Sequence, residues 1–436
     1  MNDMDNTTAN STQSSSSNTT TSDESRSSPV LFQTYPTHCG HLIAEICLND
    51  SKALNALSVD MCQMISAQLI EWQHNDAVMA VLLRGSGDKA FCAGGNIRKL
   101  YDSMCEHQTT GKIGSTPDPY ATEFFGSEYD LYRQMHFYDK PLILWGSGIV
   151  MGGGLGLMAA CSHRIVTETT RFAMPEISIG LFPDATGSWF LQRMPAKVGL
   201  FLGLTGAQCH AADAMLVNLA EFVLPSGDYE QVVNALEKAD WPSLNQFGAN
   251  RLRHAGTVVS QALSHLTQSY SQAVPLSPSK LVEHWQAIHT LMNCGGLKDI
   301  DTVMQDDRQL ATINQSFAED SWSQKAIGNY RRGCPVTAAL TYELYHKVGG
   351  LSLEQILYLE TNVAINCANR PDFKEGVRAL LIDKDKNPQW SMSLDECLTA
   401  DGQTYIDAHF DNLYPTGEHP FGEWLTDKAF GVRSVY

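Results

Sequence analysis

The chain has 436 residues, with 30 Lys and Arg against 48 Asp and Glu, so its formal net charge is −18. This acidity argues against nucleic acid or a membrane surface as the main partner, and we predict neither. The length suggests one core domain plus a second unit, and the 43% apolar content is ample for a large core.

The first 28 residues and the cysteines indicate which part of the chain is disordered and in which cellular compartment the protein lies. Residues 1–28 are rich in Ser, Thr and Asn and almost free of apolar side chains, which predicts a disordered tail. The tail has no apolar signal-peptide segment and resembles a transit peptide poorly. The eleven cysteines are dispersed and form no CxxC pair, which favours reduced thiols. We therefore predict a cytoplasmic location.

Strand and helix patterns alternate along the first half of the chain. The predicted strands are 41–50, 76–85, 141–148, 163–169 and 171–174, and the predicted helices are 58–75, 97–104, 123–139 and 154–162. Repeated β-to-α crossovers predict an α/β layered fold. Beyond about residue 190 the apolar spacing is mostly helical, so we predict an α/β core at 29–235 and a helical C-terminal region at 236–436.

Two segments of this pattern are irregular. Residues 106–120 read as a flexible insertion. Residues 141–162 carry no charge and are long enough to cross a bilayer, but they contain three consecutive glycines, which are costly inside a helix. A buried strand, a glycine loop and a buried helix explain them better.

Two glycine-rich loops are candidates for ligand binding. Gly94 and Gly95 in KAFCAGGN allow a backbone to approach a ligand closely, or simply to turn. In GIVMGGGLGL the glycines precede an apolar helix, whose free N–H groups form an anion site. Close helix packing is the alternative. The dinucleotide spacing GxGxxG fails at Leu157, and the chain has neither a Walker A sequence nor GxSxG.

Two acids interrupt the apolar stretch FAMPEISIGLFPDATG, namely Glu176 and Asp184. A buried carboxylate costs several kcal/mol unless it is paired or hydrogen-bonded. Two carboxyl groups in one apolar pocket separate in pKa, which suits one as base or nucleophile and the other as acid or orienting group. The alternative is that Asp184 caps the helix that follows it. The histidines show no metal-ligand spacing, and we predict no metal site.

The stretches KALNALS, KAFCAGGNI, GIVMGGGLGL and FAMPEISIGLFPD resemble the crotonase, or enoyl-CoA hydratase/isomerase, superfamily. The resemblance implies a spiral of ββα units and an acyl-CoA thioester substrate. It also implies an oxyanion hole made by the backbone N–H groups of Gly95 and Gly153, with Gly94 beside it. The segment Lys52, Ala53 and Leu54 resembles the one that lines the adenine and ribose of CoA.

The acids indicate a branch of the superfamily. Hydratases carry a second Glu where this chain has Gly156, whereas the pair Glu176 and Asp184 in MPE-x7-D resembles the 3-hydroxyisobutyryl-CoA hydrolases. Glu128 in SEYDLY matches another pocket acid of that branch, and residues 372–390 resemble it too. One departure is Asn96, where CAGGD is usual.

The resemblance implies hydrolysis of a short 3-hydroxyacyl-CoA, such as 3-hydroxyisobutyryl-CoA in valine breakdown. Glu176 would act as nucleophile or base and Asp184 would orient the acyl hydroxyl or the water. No separate cofactor is expected, because CoA is part of the substrate. The alternatives are an enoyl-CoA hydratase or isomerase and a non-catalytic acyl-CoA-binding relative. Relatives often form trimers or hexamers, so a homo-oligomer is an expectation as well.

Overall fold

The structure is a computed structural model that describes residues 28–109, 116–242, 248–270 and 272–424. The predicted tail lies outside these residues except for its last position, and so does the middle of the predicted insertion. Within the described ranges, no helix combines the length and the apolar character needed to cross a bilayer.

The strands form two sheets. The larger sheet has the order β1-β2-β3-β5-β7-β10 and the smaller has the order β4-β6-β8-β9. Among the strand pairs of the described residues, only β1/β2 and β8/β9 are antiparallel. The strands are β1 Val30–Pro36, β2 Leu42–Leu48, β3 Val78–Gly85, β4 Ala90–Cys92, β5 Leu142–Gly146, β6 Ile149–Met151, β7 His163–Val166, β8 Arg171–Ala173, β9 Cys209–His210 and β10 Phe222–Val223.

Helices follow the strand pairs and make up almost everything after β10. In the first part they are α1 Val59–His74, α2 Ile97–Thr109, α3 Pro119–His136, α4 Gly153–Ala160, α5 Gly187–Gln192, α6 Val198–Thr205, α7 Ala211–Leu216, α8 Tyr229–Glu237 and α9 Gly248–Ser269. The later ones are α10 Lys280–Glu283, α11 Trp285–Leu291, α12 Leu297–Gln305, α13 Asp307–Ile313, α14 Gln315–Glu319, α15 Ser321–Arg332, α16 Pro335–Lys347, α17 Leu353–Ala368, α18 Pro371–Val377, α19 Leu394–Cys397 and α20 Ala400–Asp407.

A repeating unit positions the functional loops. Three times in succession, one strand joins the larger sheet, the next short strand joins the smaller sheet, and a helix follows: β3-β4-α2, β5-β6-α4 and β7-β8-α5. Equivalent strand-to-helix loops therefore recur along the smaller sheet, and β4, β6 and β8 are neighbours in it. This confirms the predicted α/β fold of successive ββα units.

The C-terminal helices pack into the same hydrophobic core as the sheets. One cluster of buried side chains extends from Val30 to Phe421, and a second, on the other face of the larger sheet, includes Ile143 and Leu263. Helix α17 packs against α3, which brings the C-terminal region to the functional loops. The division at residue 235 stays a prediction.

Most predicted elements are present, and the differences concern strands. The prediction missed β1, β4, β6, β9 and β10, and the last four have only two or three residues each, too few to show a two-residue alternation. Residues 141–162 form the strand β5, a glycine loop and the buried helix α4, as predicted, and the additional short strand β6 lies between β5 and the glycines.

Candidate active site

Two glycine loops meet at the carboxyl ends of β4 and β6. A Cβ atom placed on Gly94 would lie 3.5 Å from the carbonyl oxygen of Met151 and 3.8 Å from the amide nitrogen of Gly153. Gly94 has φ +104° and Gly152 has φ +51°, backbone angles that residues with a Cβ rarely adopt. Glycine is therefore needed for the chain direction and for the close approach of the two loops.

The amides predicted to form an oxyanion hole have no acceptor within the described residues. The loop around Gly95 is anchored by its neighbours, since the Leu57 N–H donates to the Gly94 carbonyl and the Asn96 N–H donates to the Leu57 carbonyl. The N–H groups of Gly95 and Gly153 donate to no described group. Gly153 is the first residue of α4, so its N–H is one of the donors that a helix leaves unpaired.

Glu176 lies beside this pair of loops. Its side chain is buried, and its Oε1 lies 3.0 Å from a Cβ placed on Gly152. Its Oε2 has no hydrogen-bond partner among the described residues. A buried carboxyl oxygen without a partner is costly, which is typical of a group that has a partner only when substrate is bound.

Asp184 lies in the same cluster but has a partner. Its Oδ2 accepts a hydrogen bond from the Tyr129 hydroxyl at 2.7 Å, and the side chain is buried. It does not cap helix α5: the backbone N–H groups of Thr186 and Ser188 instead donate to the carboxylate of Glu360, at 2.8 and 2.9 Å. The alternative interpretation of Asp184 as a helix cap is therefore wrong.

Glu128 closes the site from helix α3. Its Oε1 accepts from the Tyr132 hydroxyl at 2.7 Å, and the same hydroxyl lies 3.0 Å from the Gly153 carbonyl oxygen. A Cβ placed on Gly153 would lie 2.4 Å from Oε1 of Glu128, so a larger residue there would displace the Glu128 carboxyl group. One hydroxyl proton cannot serve both acceptors. If Glu128 is protonated, it can donate to Tyr132, which then donates to Gly153.

Burial dominates the electrostatics of the cluster. It raises the pKa of Asp184 to about 6, against which the Tyr129 hydrogen bond acts. Burial and then the charge of Asp184 raise the pKa of Glu128 to about 8 and the pKa of Glu176 well above its ordinary value. Asp184 is therefore the group of these three that ionises first, and substrate binding must promote the ionisation of Glu176 if it acts as a base or nucleophile.

Gly156 has no room for a second acid. A Cβ there would lie 2.7 Å from the carbonyl oxygen of Ala185, 3.0 Å from the Ala185 Cβ and 2.9 Å from Cζ of Tyr132. Any larger residue would meet the backbone of the turn that follows Asp184. The missing side chain thus lets this turn approach α4.

The segment Lys52, Ala53 and Leu54 borders the first glycine loop. Lys52 and Ala53 are exposed in a short 3-10 turn, and Leu54 is half-buried with φ +54°. The Leu54 carbonyl accepts from the N–H of Ala93, the residue before Gly94. The structure therefore places this segment next to the loop of Gly95, on the surface.

Three residues of the site escaped the sequence prediction. Tyr129 and Tyr132 follow Glu128 on α3, and Tyr132 lies four positions on, which places it on the same face of the helix. Glu360 is a lone buried acid in the apolar helix α17. The signal that marks Glu176, an acid within an apolar run, was present at Glu360 too.

One group of metal-type donors lies elsewhere, in the C-terminal helices. Donor atoms of Glu283, His284 and Asp320 all lie within 4.8 Å of one another. The Lys280 ammonium group donates to Glu283 at 2.8 Å and to Asp320 at 2.7 Å, and its positive charge opposes a divalent cation. The absence of a metal site stays a prediction.

Comparison with known proteins agrees with this geometry. A family model described as enoyl-CoA hydratase/isomerase matches residues 43–407. The chain belongs to this family. Similar proteins include 3-hydroxyisobutyryl-CoA hydrolase, mitochondrial, of Danio rerio, 34% identical over 84% of this chain and 87% of the relative. The protein of that name from Xenopus tropicalis is 35% identical over 84% and 86%. The resemblance to the hydrolase branch is confirmed.

Solved structures of the enoyl-CoA hydratase/isomerase family match nearly the whole fold. An enoyl-CoA hydratase from Rhodobacter sphaeroides has a TM-score of 0.69 and 27% identity, covering 88% of this chain and 98% of that one. A carnitinyl-CoA dehydratase from Mycobacterium thermoresistibile has a TM-score of 0.70 and 28% identity, covering 90% and 100%. The match thus extends into the C-terminal helices.

The predicted cytoplasmic location is wrong by this comparison, because the curated relatives are named mitochondrial. The cysteines were a poor guide for a physical reason. Eight of the described thiols are buried, and buried, dispersed thiols stay reduced in any reducing compartment.

Proposed function

We propose that this chain hydrolyses 3-hydroxyisobutyryl-CoA to 3-hydroxyisobutyrate and CoA, a step of valine breakdown. The observation behind the proposal is the unpartnered carboxyl oxygen of Glu176 beside two loops whose amides, at Gly95 and Gly153, have no described acceptor. The names of the vertebrate relatives support the same substrate. CoA enters as part of the substrate, so the proposal needs no separate cofactor.

The two amides would bind the thioester oxygen. The N–H groups of Gly95 and Gly153 would donate to the oxygen as it gains negative charge, and helix α4 begins at Gly153 with its positive dipole end. Losing one such donor typically costs about 2.7–4 kcal/mol of transition-state stabilisation. The glycine loops would therefore supply much of the rate acceleration.

Glu176 would deliver oxygen by one of two routes. In the first, its carboxylate attacks the carbonyl carbon, the C–S bond breaks, CoA thiolate leaves and takes a proton, and water hydrolyses the resulting anhydride. In the second, Glu176 removes a proton from a water molecule that attacks directly. The leaving thiol, with a pKa near that of Cys at about 8.5, needs little acid assistance.

Asp184 and Glu128 would act on the acyl end. An ionised Asp184 can accept a hydrogen bond from the 3-hydroxyl group of the substrate or from the attacking water. A protonated Glu128 can donate one, because its raised pKa keeps the proton at neutral pH. Lys52, Ala53 and Leu54 would line the CoA, as their surface position beside the loop of Gly95 allows.

The rival activity is hydration, for which two solved relatives are named. The second glutamate implied for a hydratase would stand at Gly156, where a side chain would collide with Ala185 and Tyr132. The second glutamate of a hydratase is therefore missing from the sequence and would also have no room in the structure, and both facts argue against hydration. A non-catalytic acyl-CoA-binding role would leave the cost of burying Glu176 unexplained.

Thiol release from a panel of acyl-CoAs tests the proposal. We expect release from 3-hydroxyisobutyryl-CoA and, since one methyl is worth only about 1–3 kcal/mol, weaker release from 3-hydroxypropionyl-CoA. Glu176→Gln should abolish release, and the exposed control Glu71→Gln should not change it. Hydration of an enoyl-CoA without thiol release would reject the proposal.

A single turnover in oxygen-18 water, combined with hydroxylamine trapping, separates the two routes. Label in the side chain of Glu176, or a hydroxamate formed on Glu176, found by mass spectrometry of its peptide, would support the anhydride. Label found only in the released acid, with no hydroxamate on Glu176, would support direct attack by water.

A further inference from the structure

Glu360 belongs to the C-terminal region but reaches the loop of Asp184. It lies on α17 with 0% of its surface exposed. Its Oε2 accepts from the N–H of Thr186 at 2.8 Å and its Oε1 accepts from the N–H of Ser188 at 2.9 Å. Both carboxyl oxygens are thus used on one short stretch of backbone, 172 to 174 positions away in sequence.

That stretch has an unfavourable backbone conformation. Ala185 has φ +56° and Thr186 has φ +64°, two consecutive residues other than glycine in the left-handed region. Residues with a Cβ visit this region rarely, and a β-branched residue such as Thr is least suited to it. The Thr186 hydroxyl is also buried without a partner in the described structure. Surrounding contacts must therefore hold the turn.

The turn determines where Asp184 lies. The Asp184 carbonyl accepts from the Gly187 N–H at 2.6 Å, which closes the turn, and the Ala185 carbonyl lies against Gly156 on α4. The Asp184 side chain then meets the Tyr129 hydroxyl. If Thr186 relaxed to negative φ, the peptide units on both sides would rotate and the Asp184 carboxyl group would move.

We propose that Glu360 is a positioning residue: the C-terminal region supplies a buried carboxyl group that holds the Ala185–Thr186 turn and thereby fixes Asp184 in the active site. The proposal rests on the proposed function for its catalytic consequence. Glu360 touches no reacting atom and acts only through the turn. Burial and then the charge of Asp184 raise the pKa of Glu360 to about 8, and the hydrogen bonds from Ser188 and Thr186 oppose that rise.

The simpler alternative is a helix cap that contributes only stability. A cap would affect the unfolding of the whole protein and leave the folded enzyme equally active. A positioning residue also changes the active site of the molecules that stay folded, and its loss can be compensated by making the left-handed turn easier to form.

The test begins with Glu360→Gln, which keeps the shape but offers one acceptor where two are needed. Well below the unfolding temperature we expect kcat for thiol release to fall about 10- to 100-fold, as misplaced catalytic groups do, with little change in KM. Hydrogen exchange of the peptide containing residues 184–190 should become faster than in the wild type, whatever the activity.

Substitutions at Thr186 then separate the two interpretations. In the Glu360→Gln background, Thr186→Gly should raise kcat again, because glycine adopts positive φ freely. The increase in log kcat should be at least a third of the decrease that Glu360→Gln causes. The matched control Thr186→Ala also removes the hydroxyl and the methyl group but keeps the Cβ, and it should restore nothing. Equal effects of Gly and Ala, or an unchanged kcat and exchange rate in Glu360→Gln, would overturn the proposal.

Two further comparisons keep the outcomes distinct. If Glu360→Gln does not fold, Glu360→Asp, which keeps the carboxyl group but is one methylene shorter, is used in the same comparisons with the same expected signs. If the wild type releases no thiol from any acyl-CoA, the proposed function fails. The exchange measurement still decides whether Glu360 holds the turn.

Discussion

Replacing Gly156 by Ala tests whether close packing on α4 sets the position of Asp184. The new Cβ would lie 2.7 Å from the Ala185 carbonyl oxygen and 2.9 Å from Cζ of Tyr132. Contacts under 3.0 Å force something to move, and here one neighbour is backbone. Overpacking of this kind costs about 1–3 kcal/mol, while Gly→Ala inside a helix gains about 1 kcal/mol. We therefore expect a net loss of about 0–2 kcal/mol in unfolding free energy.

Activity should fall as well as stability. Movement of the Ala185 carbonyl displaces the turn that carries Asp184, so we expect kcat for thiol release to fall about 10-fold or more at a temperature where the variant is folded. Urea unfolding followed by circular dichroism gives the stability, and the thiol assay gives kcat.

Gly126→Ala is the matched control, since Gly126 also lies inside a helix but has no atom within 4 Å of its Cβ position. It should gain about 0.5–1 kcal/mol and keep its activity. A Gly156→Ala variant as stable and as active as the control would refute the reasoning. So would a Gly156→Glu variant that folds and hydrates enoyl-CoA.

Three further predictions concern the acids. Glu176→Gln should lower kcat for thiol release at least about 1,000-fold with an unchanged unfolding midpoint, and an active variant would contradict its role. Tyr129→Phe removes the hydrogen bond that lowers the pKa of Asp184, so that pKa rises and the acid limb of the kcat–pH profile should move up by about one pH unit; a limb that stays or moves down would contradict this. Glu128 has a folded pKa of about 8 against 4.5, so the folded state keeps a proton that the unfolded state loses. Glu128 should therefore lower wild-type stability between about pH 5 and pH 8 by up to about 1.4 kcal/mol per pH unit, in addition to the falls caused by the other buried acids. Glu128→Gln should make the slope shallower by that amount, as urea unfolding of wild type and variant at both pH values would show.

The sequence predicted the elements whose patterns are long. Helix α1 and strand β3 fall within two residues of the predicted bounds, because each buries a continuous face over many residues. The short strands β4 and β6 carry the glycine loops, yet their three residues give no periodicity. Their strand conformation comes from pairing with each other in the smaller sheet, a contact between distant parts of the chain.

The sequence predicted those parts of the candidate site whose residues lie close together along the chain. Glu176 and Asp184 lie eight positions apart in one apolar stretch, and the structure brings them into one buried cluster with Glu128. The contribution of Glu360 could not be predicted, because nothing in its sequence says which turn its carboxylate will reach. Such a contact becomes visible only once α17 packs against the rest of the fold.

The sequence also left open why a hydratase glutamate is missing. The sequence shows only that Gly156 has no side chain at this position. The structure shows why, since the turn after Asp184 occupies the volume that a side chain of residue 156 would need. The same observation accounts for the strained turn at Ala185 and Thr186, which brings the backbone close to α4.

A crystal structure with a substrate analogue tests the central claim most directly. The analogue is 3-hydroxyisobutyryl-CoA with sulfur replaced by CH2, which keeps the carbonyl group but cannot be hydrolysed. We predict that its carbonyl oxygen lies about 2.7–3.1 Å from the amide nitrogens of Gly95 and Gly153, with a Glu176 carboxyl oxygen, or a water bound to it, facing the carbonyl carbon. A carbonyl group directed away from both amides, or a Glu176 side chain directed away from the acyl group, would contradict the account.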